Sequence, residues 1–356
     1  MTGPSTGLSE ELREKVSDRA SYVSVIDRLS KASVDKHWDA YADVPWDDPD
    51  CQVDPKDPRW VLPPTDQLGA TEWYRSQPVE VRAEIGLWRM ATAMKIGLQF
   101  ENLLQRGLLT YAYKLRNGSP EYRYAMHELV EEGHHSMMFQ EFVNRSGLPI
   151  RGMPKSLDLL AQIVPWVPRL STEMFFIFVL GGEDPIDYVQ RKTLKSGHKM
   201  HPLAETIVRI HIAEEARHIS FARHYLKHRV PRMNPVRRKV LGLLTPGVLG
   251  IMARIMLSPP GPMVRHYGIP KDVVREAYQS PPARAQIRDC VGKLRELAIE
   301  LGLVGPVSKR LWRANGIWDE PGAGRTADRP HARPRASSSA ATAAAGAKAG
   351  RREEAK

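Results

Sequence analysis

Cysteine is almost absent from this 356-residue chain: Cys51 and Cys290 stand alone, with no CxxC and no paired spacing. That excludes a disulfide framework or a thiolate metal site, and it suits a reducing, cytoplasmic setting. Alternation at the strand period is nearly missing as well, which argues against sandwiches, barrels and parallel α/β sheets. The first residues, MTGPSTGLSEELREK, lack the basic-then-apolar order of a secretory signal. No unbroken apolar run of about 18 residues occurs. The nearest stretch, 240–257, is interrupted by Pro246 and Arg254. Arg237, Arg238 and Lys239 precede it and would suit a membrane surface, but a buried helical hairpin is the simpler reading. An excess of charge is also lacking where it would matter. Of the net +11, the residues from Pro321 onward hold eight Arg or Lys against three acids, leaving +6 on residues 1–320. That is too mild to call for a nucleic-acid partner.

What is present is helical periodicity. Amphipathic patterning marks a helix over 9–33, and an irregular segment rich in Asp, Pro and Trp follows over 34–77, of a kind that wraps a bundle. Long helices are expected over 78–116, from about Pro120 to Ser146, over 155–196 with breaks near Pro165, Pro168 and Gly181–Pro185, and over 202–230. Shorter ones are expected over 235–257, 270–278 and 283–303. The fold class is therefore all-α, a four-helix core of two hairpins with flanking helices, in one domain over 1–320. Residues 321–356 are low in complexity and expected to be a disordered basic tail.

Two of the long helices carry Glu-x-x-His. Residues three apart lie about 60° apart around a helix axis, so both side chains reach one metal ion. One pair is Glu215 with His218. The run EEGHH offers two registers, Glu131 with His134 or Glu132 with His135. Helical neighbours of Glu132 and His135 are Leu129, Phe139, Phe142 and Val143, a core-facing stripe; those of Glu131 and His134 are Tyr124, His127, Glu141 and Arg145, a wetter face. Glu132 and His135 are thus expected inside, and Glu214, aligned with Arg217 and His228, is expected to be solvated or to support the site from outside. His211 lies four residues before Glu215 on the same face, completing HxxxExxH.

A four-helix di-metal site also needs one carboxylate from each remaining helix. Glu101 sits on an apolar stripe with Met94, Gly97, Leu98, Leu104 and Leu108, where an uncompensated carboxylate is costly. Glu183 is favoured over Glu173 and Asp187 by spacing. Glu101 precedes Glu132 by 31 residues and Glu183 precedes Glu215 by 32, which levels all four carboxylates in the bundle.

Glu101, Glu132, His135, Glu183, His211, Glu215 and His218, taken in order, resemble the p-aminobenzoate N-oxygenase family of non-haem di-iron oxygenases within the ferritin-like superfamily. The third histidine, His211, sets that family apart, and the resemblance spans roughly residues 30–310. It implies a ferritin-like bundle, all seven residues as ligands of two irons per chain, and Glu132 and Glu215 as candidate bridging carboxylates. It also implies O2, a small aromatic amine oxidised at nitrogen, an unidentified electron donor, and an arginine near the substrate from among Arg284, Arg288 and Arg295. Mn/Fe or Mn/Mn pairs suit the same donors, and a homodimer is compatible with the sequence. Met94, Gly97, Leu98, Leu104, Phe139 and Leu180 are candidates to line the substrate pocket. The competing readings are a C–H hydroxylase or desaturase on the same core, a ferritin-like storage or peroxide-detoxifying protein, and a helical structural protein whose Glu/His pairs are salt-bridged.

Overall fold

The irregular segment before the first long hairpin is tied down by its tryptophans. Trp46 donates its indole N–H to the Ala40 carbonyl, and Trp60 donates to Asp54 while its ring stacks on His201. Single 3-10 turns at Pro49–Cys51 and Pro58–Trp60 are each capped by an aspartate, Asp48 and Asp57. These features belong to a computed structural model that describes residues 10–318. No strand occurs among the described residues.

The elements are α1 (Glu10–Asp35), α2 (Glu72–Ser76), α3 (Val79–Ala112), α4 (Pro120–Ser146), α5 (Lys155–Ala161), α6 (Val167–Leu170), α7 (Thr172–Lys195), α8 (Pro202–Arg229), α9 (Pro235–Leu257), α10 (Gly261–His266), α11 (Lys271–Gln279), α12 (Pro281–Cys290), α13 (Gly292–Glu300) and α14 (Pro306–Ala314). The antiparallel hairpins α3–α4 and α7–α8 form the core, α1 lies along α4 and α8, and α9 covers α7. The architecture is an all-α, ferritin-like bundle with flanking helices. The expected tail, 321–356, lies outside the described residues.

Prolines at the starts of α4 and α8 and Gly147 in the left-handed region after α4 set the hairpin ends. The breaks expected near Pro165 and Pro168 occur: α5 is followed by a 3-10 turn at Val164–Trp166, then by α6 and α7. Two boundary expectations need correction. The break expected at Gly181–Pro185 does not occur: α7 runs straight through it. Close packing, not flexibility, accounts for the glycines. A Cβ on Gly182 would fall 2.1 Å from the Phe100 ring, and one on Gly181 would fall 2.8 Å from Leu249. The helix expected over 283–303 is two, α12 and α13, with Val291 between them.

Residues 235–266 contain an 18-residue window of mean hydropathy 1.9, enough by length and composition to cross a membrane. A mean tolerates Pro246 and Arg254, which a search for an unbroken run does not. In the bundle 47% of that window is buried, and α9 packs on α7 and α14.

Gly86 joins the wrapping segment to α3. A Cβ there would sit 1.8 Å from the Trp60 carbonyl oxygen, which is backbone and cannot yield. Gly86→Ala is therefore expected to lower stability by about 1–3 kcal/mol, the usual range for overpacking, despite alanine's higher helix propensity. Chemical denaturation checks this; an unchanged or raised midpoint would contradict it.

Candidate metal centre

Four helices bring the seven residues to one level of the bundle: Glu101 from α3, Glu132 and His135 from α4, Glu183 from α7, and His211, Glu215 and His218 from α8. All seven are buried. Two donor groups emerge, each with ligand atoms within 4.8 Å of one another: Glu101, His135, His211 and Glu215, and then Glu132, Glu215 and His218. Glu215 belongs to both. Glu183 lies outside these groups but close to them, feeling the charges of Glu215, Glu101 and Glu132. Neither alternative from α7 comes to the centre. Asp187 pairs with Arg191 at 2.6 Å, and Glu173 accepts from Ser171 at the start of the helix.

The histidine orientations are specific. His135 turns Nδ1 to Glu132 Oε2 at 3.1 Å and Glu215 Oε1 at 3.3 Å. His218 turns Nδ1 to Glu132 Oε1 at 2.9 Å and Glu215 Oε1 at 3.2 Å. Their far nitrogens cross between helices: His135 Nε2 meets Glu214 Oε2 of α8 at 2.9 Å, and His218 Nε2 meets Glu131 Oε2 of α4 at 2.7 Å. Arg217 holds both outer carboxylates, 2.9 Å from Glu131 Oε1 and 3.4 Å from Glu214 Oε1. A carboxylate on the outer imidazole nitrogen fixes ring orientation and makes the inner nitrogen a better donor. His211 places Nδ1 3.1 Å from the Gln190 side-chain oxygen, so Nδ1 carries the proton and Nε2 is bare toward Glu101 and Glu215, at 3.7 and 3.8 Å.

Sequence reasoning misplaced Glu131. The face of Glu131, expected to be wet, has Glu131 at 3% exposure and Tyr124 and Met138 at 0%, because α1 packs along it. His127, His134, Glu141 and Arg145 keep partial exposure on that face, and His134 accepts the Ala40 N–H. Glu214, expected either in solvent or supporting the site from outside, takes the second position, fully buried against His135 Nε2. A repeated EExxH, at 131–135 and 214–218, was the signal that both glutamates belong to the site. Glu128, one turn before Glu132, is also buried, with neither oxygen hydrogen-bonded; burial pushes its carboxyl up to about 8.

The donor set fits two divalent cations. Glu101 Oε2, Glu183 Oε1 and Glu215 Oε2 are buried without hydrogen-bond partners, a costly state unless something positive compensates it. Protonation shows what is wanted. Burial and the neighbouring carboxylates push Glu101 and Glu183 well above the usual range. Burial opposes charging of His135 and His218, yet the surrounding glutamates raise both well above the ordinary value. Burial and Glu215 push Glu132 up, but His218 and His135 hold it down at about 2; they hold Glu215 well below its usual range too. The cluster thus favours added positive charge beside Glu101, Glu183, His135 and His218, which divalent ions would supply. His211, pushed down to about 4 by burial, stays neutral, as an imidazole ligand must.

A cavity of about 260 Å³ opens against Glu101, Glu183 and His211. Of the expected lining residues, Met94, Gly97 and Phe139 reach it; Leu98, Leu104 and Leu180 pack in the core instead. The arginines on its wall are Arg59 and Arg89, not Arg284, Arg288 or Arg295. Arg295 instead donates to the Arg288 and Ile317 carbonyls.

The all-α bundle and its buried cluster of glutamates and histidines define a ferritin-like protein with a carboxylate–histidine cluster able to hold metal. Comparison narrows the class. The family model for p-aminobenzoate N-oxygenase AurF matches residues 19–302, and the chain belongs to that oxygenase family. The uncharacterised proteins Mb0909 of Mycobacterium bovis and Rv0885 of Mycobacterium tuberculosis are each 42% identical over 307 residues, spanning 86% of this chain and 90% of theirs. No solved structure matches the chain significantly.

Proposed function

We propose that the chain is a cytoplasmic di-iron N-oxygenase that uses O2 to oxidise an aromatic amine. Glu101, Glu132, His135, Glu183, His211, Glu215 and His218 would hold the two metals, with Glu132 and Glu215 between them. The observation that carries the reading is the mainly apolar cavity meeting the centre on the side of Glu101, Glu183 and His211. A storage protein has no use for an apolar chamber at its metal site. Support for Glu132 and Glu215 as bridges comes from the way each faces both His135 and His218.

When bound, two ferrous ions supply dioxygen activation and two of the electrons its reduction needs, and an external donor restores them. The protein's own residues do the rest. Glu131 and Glu214 hold the outer nitrogens of His218 and His135, and Arg217 neutralises that pair from outside. Gln190 keeps the His211 proton on Nδ1. Met94, Gly97 and Phe139 keep water from the space before the centre, so that oxidant reaches substrate and does not leak.

The test is anaerobic Fe(II) loading, then exposure to ¹⁸O2 with 4-methylaniline and mass spectrometry of the products. Label is expected on nitrogen, as hydroxylamine and further oxidised forms. Label on the methyl carbon would replace the reading with C–H hydroxylation. Iron that binds and oxidises while every amine returns unchanged would remove the N-oxygenase assignment.

A further inference from the structure

The cavity is longer than a single-ring substrate requires. On α3 its wall is a stripe at helical spacing: Gly86, Met90, Ala93, Gly97 and Glu101. On α7 the stripe is Glu183, Ile186, Gln190 and Thr193, and on α8 with its N-cap it is His201, Ala204, Val208 and His211. In all three the stripe begins or ends at a residue of the metal cluster. From His211 back to His201 is ten residues, about 15 Å along the helix at 1.5 Å per residue, and the α7 stripe covers the same distance in the opposite sense. The cavity is therefore a shaft parallel to the bundle axis. One end is closed by Glu101, Glu183 and His211. The other meets half-buried Lys192, Thr193 and His198, where it opens to the surface.

Size and chemistry agree. A chamber of roughly 150 Å³ holds a benzene ring, whereas this one encloses about 260 Å³. Between its ends the wall is apolar: Met90, Met94, Ile186, Val189, Ala204 and Val208. The two arginines on the wall already have acidic partners, Arg59 with Asp57 at 2.5 Å and Arg89 with Asp66 at 2.9 Å. Neither is a spare cation waiting for a carboxylate close to the ring.

From this geometry we infer that the substrate is an elongated amine: its nitrogen lies at the metal end, and an extended apolar tail fills the shaft toward His201 and Thr193. This rests on the oxygenase reading for which end reacts, but the length requirement is a property of the shaft and is read by binding. The probes are aniline and 4-alkylanilines with tails from methyl to decyl, together with 4-aminobenzoate. Their affinities for the Fe(II)-loaded protein are measured without oxygen by calorimetry. Affinity is expected to rise about fourfold per added methylene, the value for burying one CH₂, until the shaft is full, and then to fall; 4-aminobenzoate is expected to bind no better than aniline. Ala204→Phe narrows the shaft about 10 Å from His211 and should move the best tail several carbons shorter, while aniline affinity and iron content stay unchanged. If that variant does not fold, the wild-type series decides alone. Affinity that ignores tail length, or that is highest for aniline or 4-aminobenzoate, would overturn the shaft even if two irons load and an amine is oxidised. Iron counts on the same samples judge the oxygenase reading separately.

Discussion

Glu215→Ala is expected to empty both metal positions, where loss of an ordinary ligand would weaken one. Glu215 belongs to both donor groups, and its Oε1 stands 3.3 Å from His135 Nδ1, 3.2 Å from His218 Nδ1 and 3.8 Å from His211 Nε2. Removing a residue that merely supports a ligand costs roughly 10–100-fold in metal affinity. Loss of a shared ligand should exceed the upper end of that range at both positions. Amine oxidation should disappear with the metals. Glu101→Ala touches only one donor group and should leave the other occupied. Iron per folded chain, measured after anaerobic loading and desalting, separates the two variants. Equal iron in Glu215→Ala and wild type would contradict the shared role.

Arg217→Ala should be among the most destabilising single changes in the chain, at about 3–5 kcal/mol, the range for stranding buried charge. Its guanidinium is the cation facing both Glu131 and Glu214, and these in turn hold His218 and His135. Removing it leaves two buried carboxylates pressed against histidines whose inner nitrogens are needed for metal. Iron affinity should fall along with stability. Arg209 provides the contrast. It pairs with Glu205 at 2.6 Å, but the side chains are 61% and 36% exposed, so Arg209→Ala should cost less than about 1 kcal/mol. Urea denaturation of the two variants side by side reads the difference. Near-equal midpoints would mean that the outer carboxylates do not depend on Arg217. Adding Glu131→Gln and Glu214→Gln to Arg217→Ala should recover part of the lost stability, because it removes the stranded charge.

The long helices were legible because their periodicity is strong and their ends carry proline and glycine, as at Pro120, Gly147 and Pro202. The inward register of Glu132 and His135 was legible from apolar neighbours on the same face. What was hidden depends on contacts between elements. Burial of Glu131 comes from α1, whose packing along α4 no local pattern in α4 records. The crossed pairs His135–Glu214 and His218–Glu131 join residues 79 and 87 positions apart. Duplication of EExxH hinted at them, but adjacent glutamates on a helix point about 100° apart, so one was assigned to solvent. Pro185 inside α7 was hidden for a similar reason: Gly181 and Gly182 read locally as a break, but Leu249, Met252 and Phe100 pack where their side chains would be. The wall arginines were missed because Arg59 and Arg89 lie far from the last helices, and the wrapping segment brings Arg59 to the shaft.

Anaerobic titration of the metal-free protein with Fe(II) tests the metal centre most directly. Uptake should break at two irons per chain, and titration of Glu215→Ala should show no such break. Saturation at one iron or none, or a break at two that survives Glu215→Ala, would contradict a dinuclear centre built on these residues.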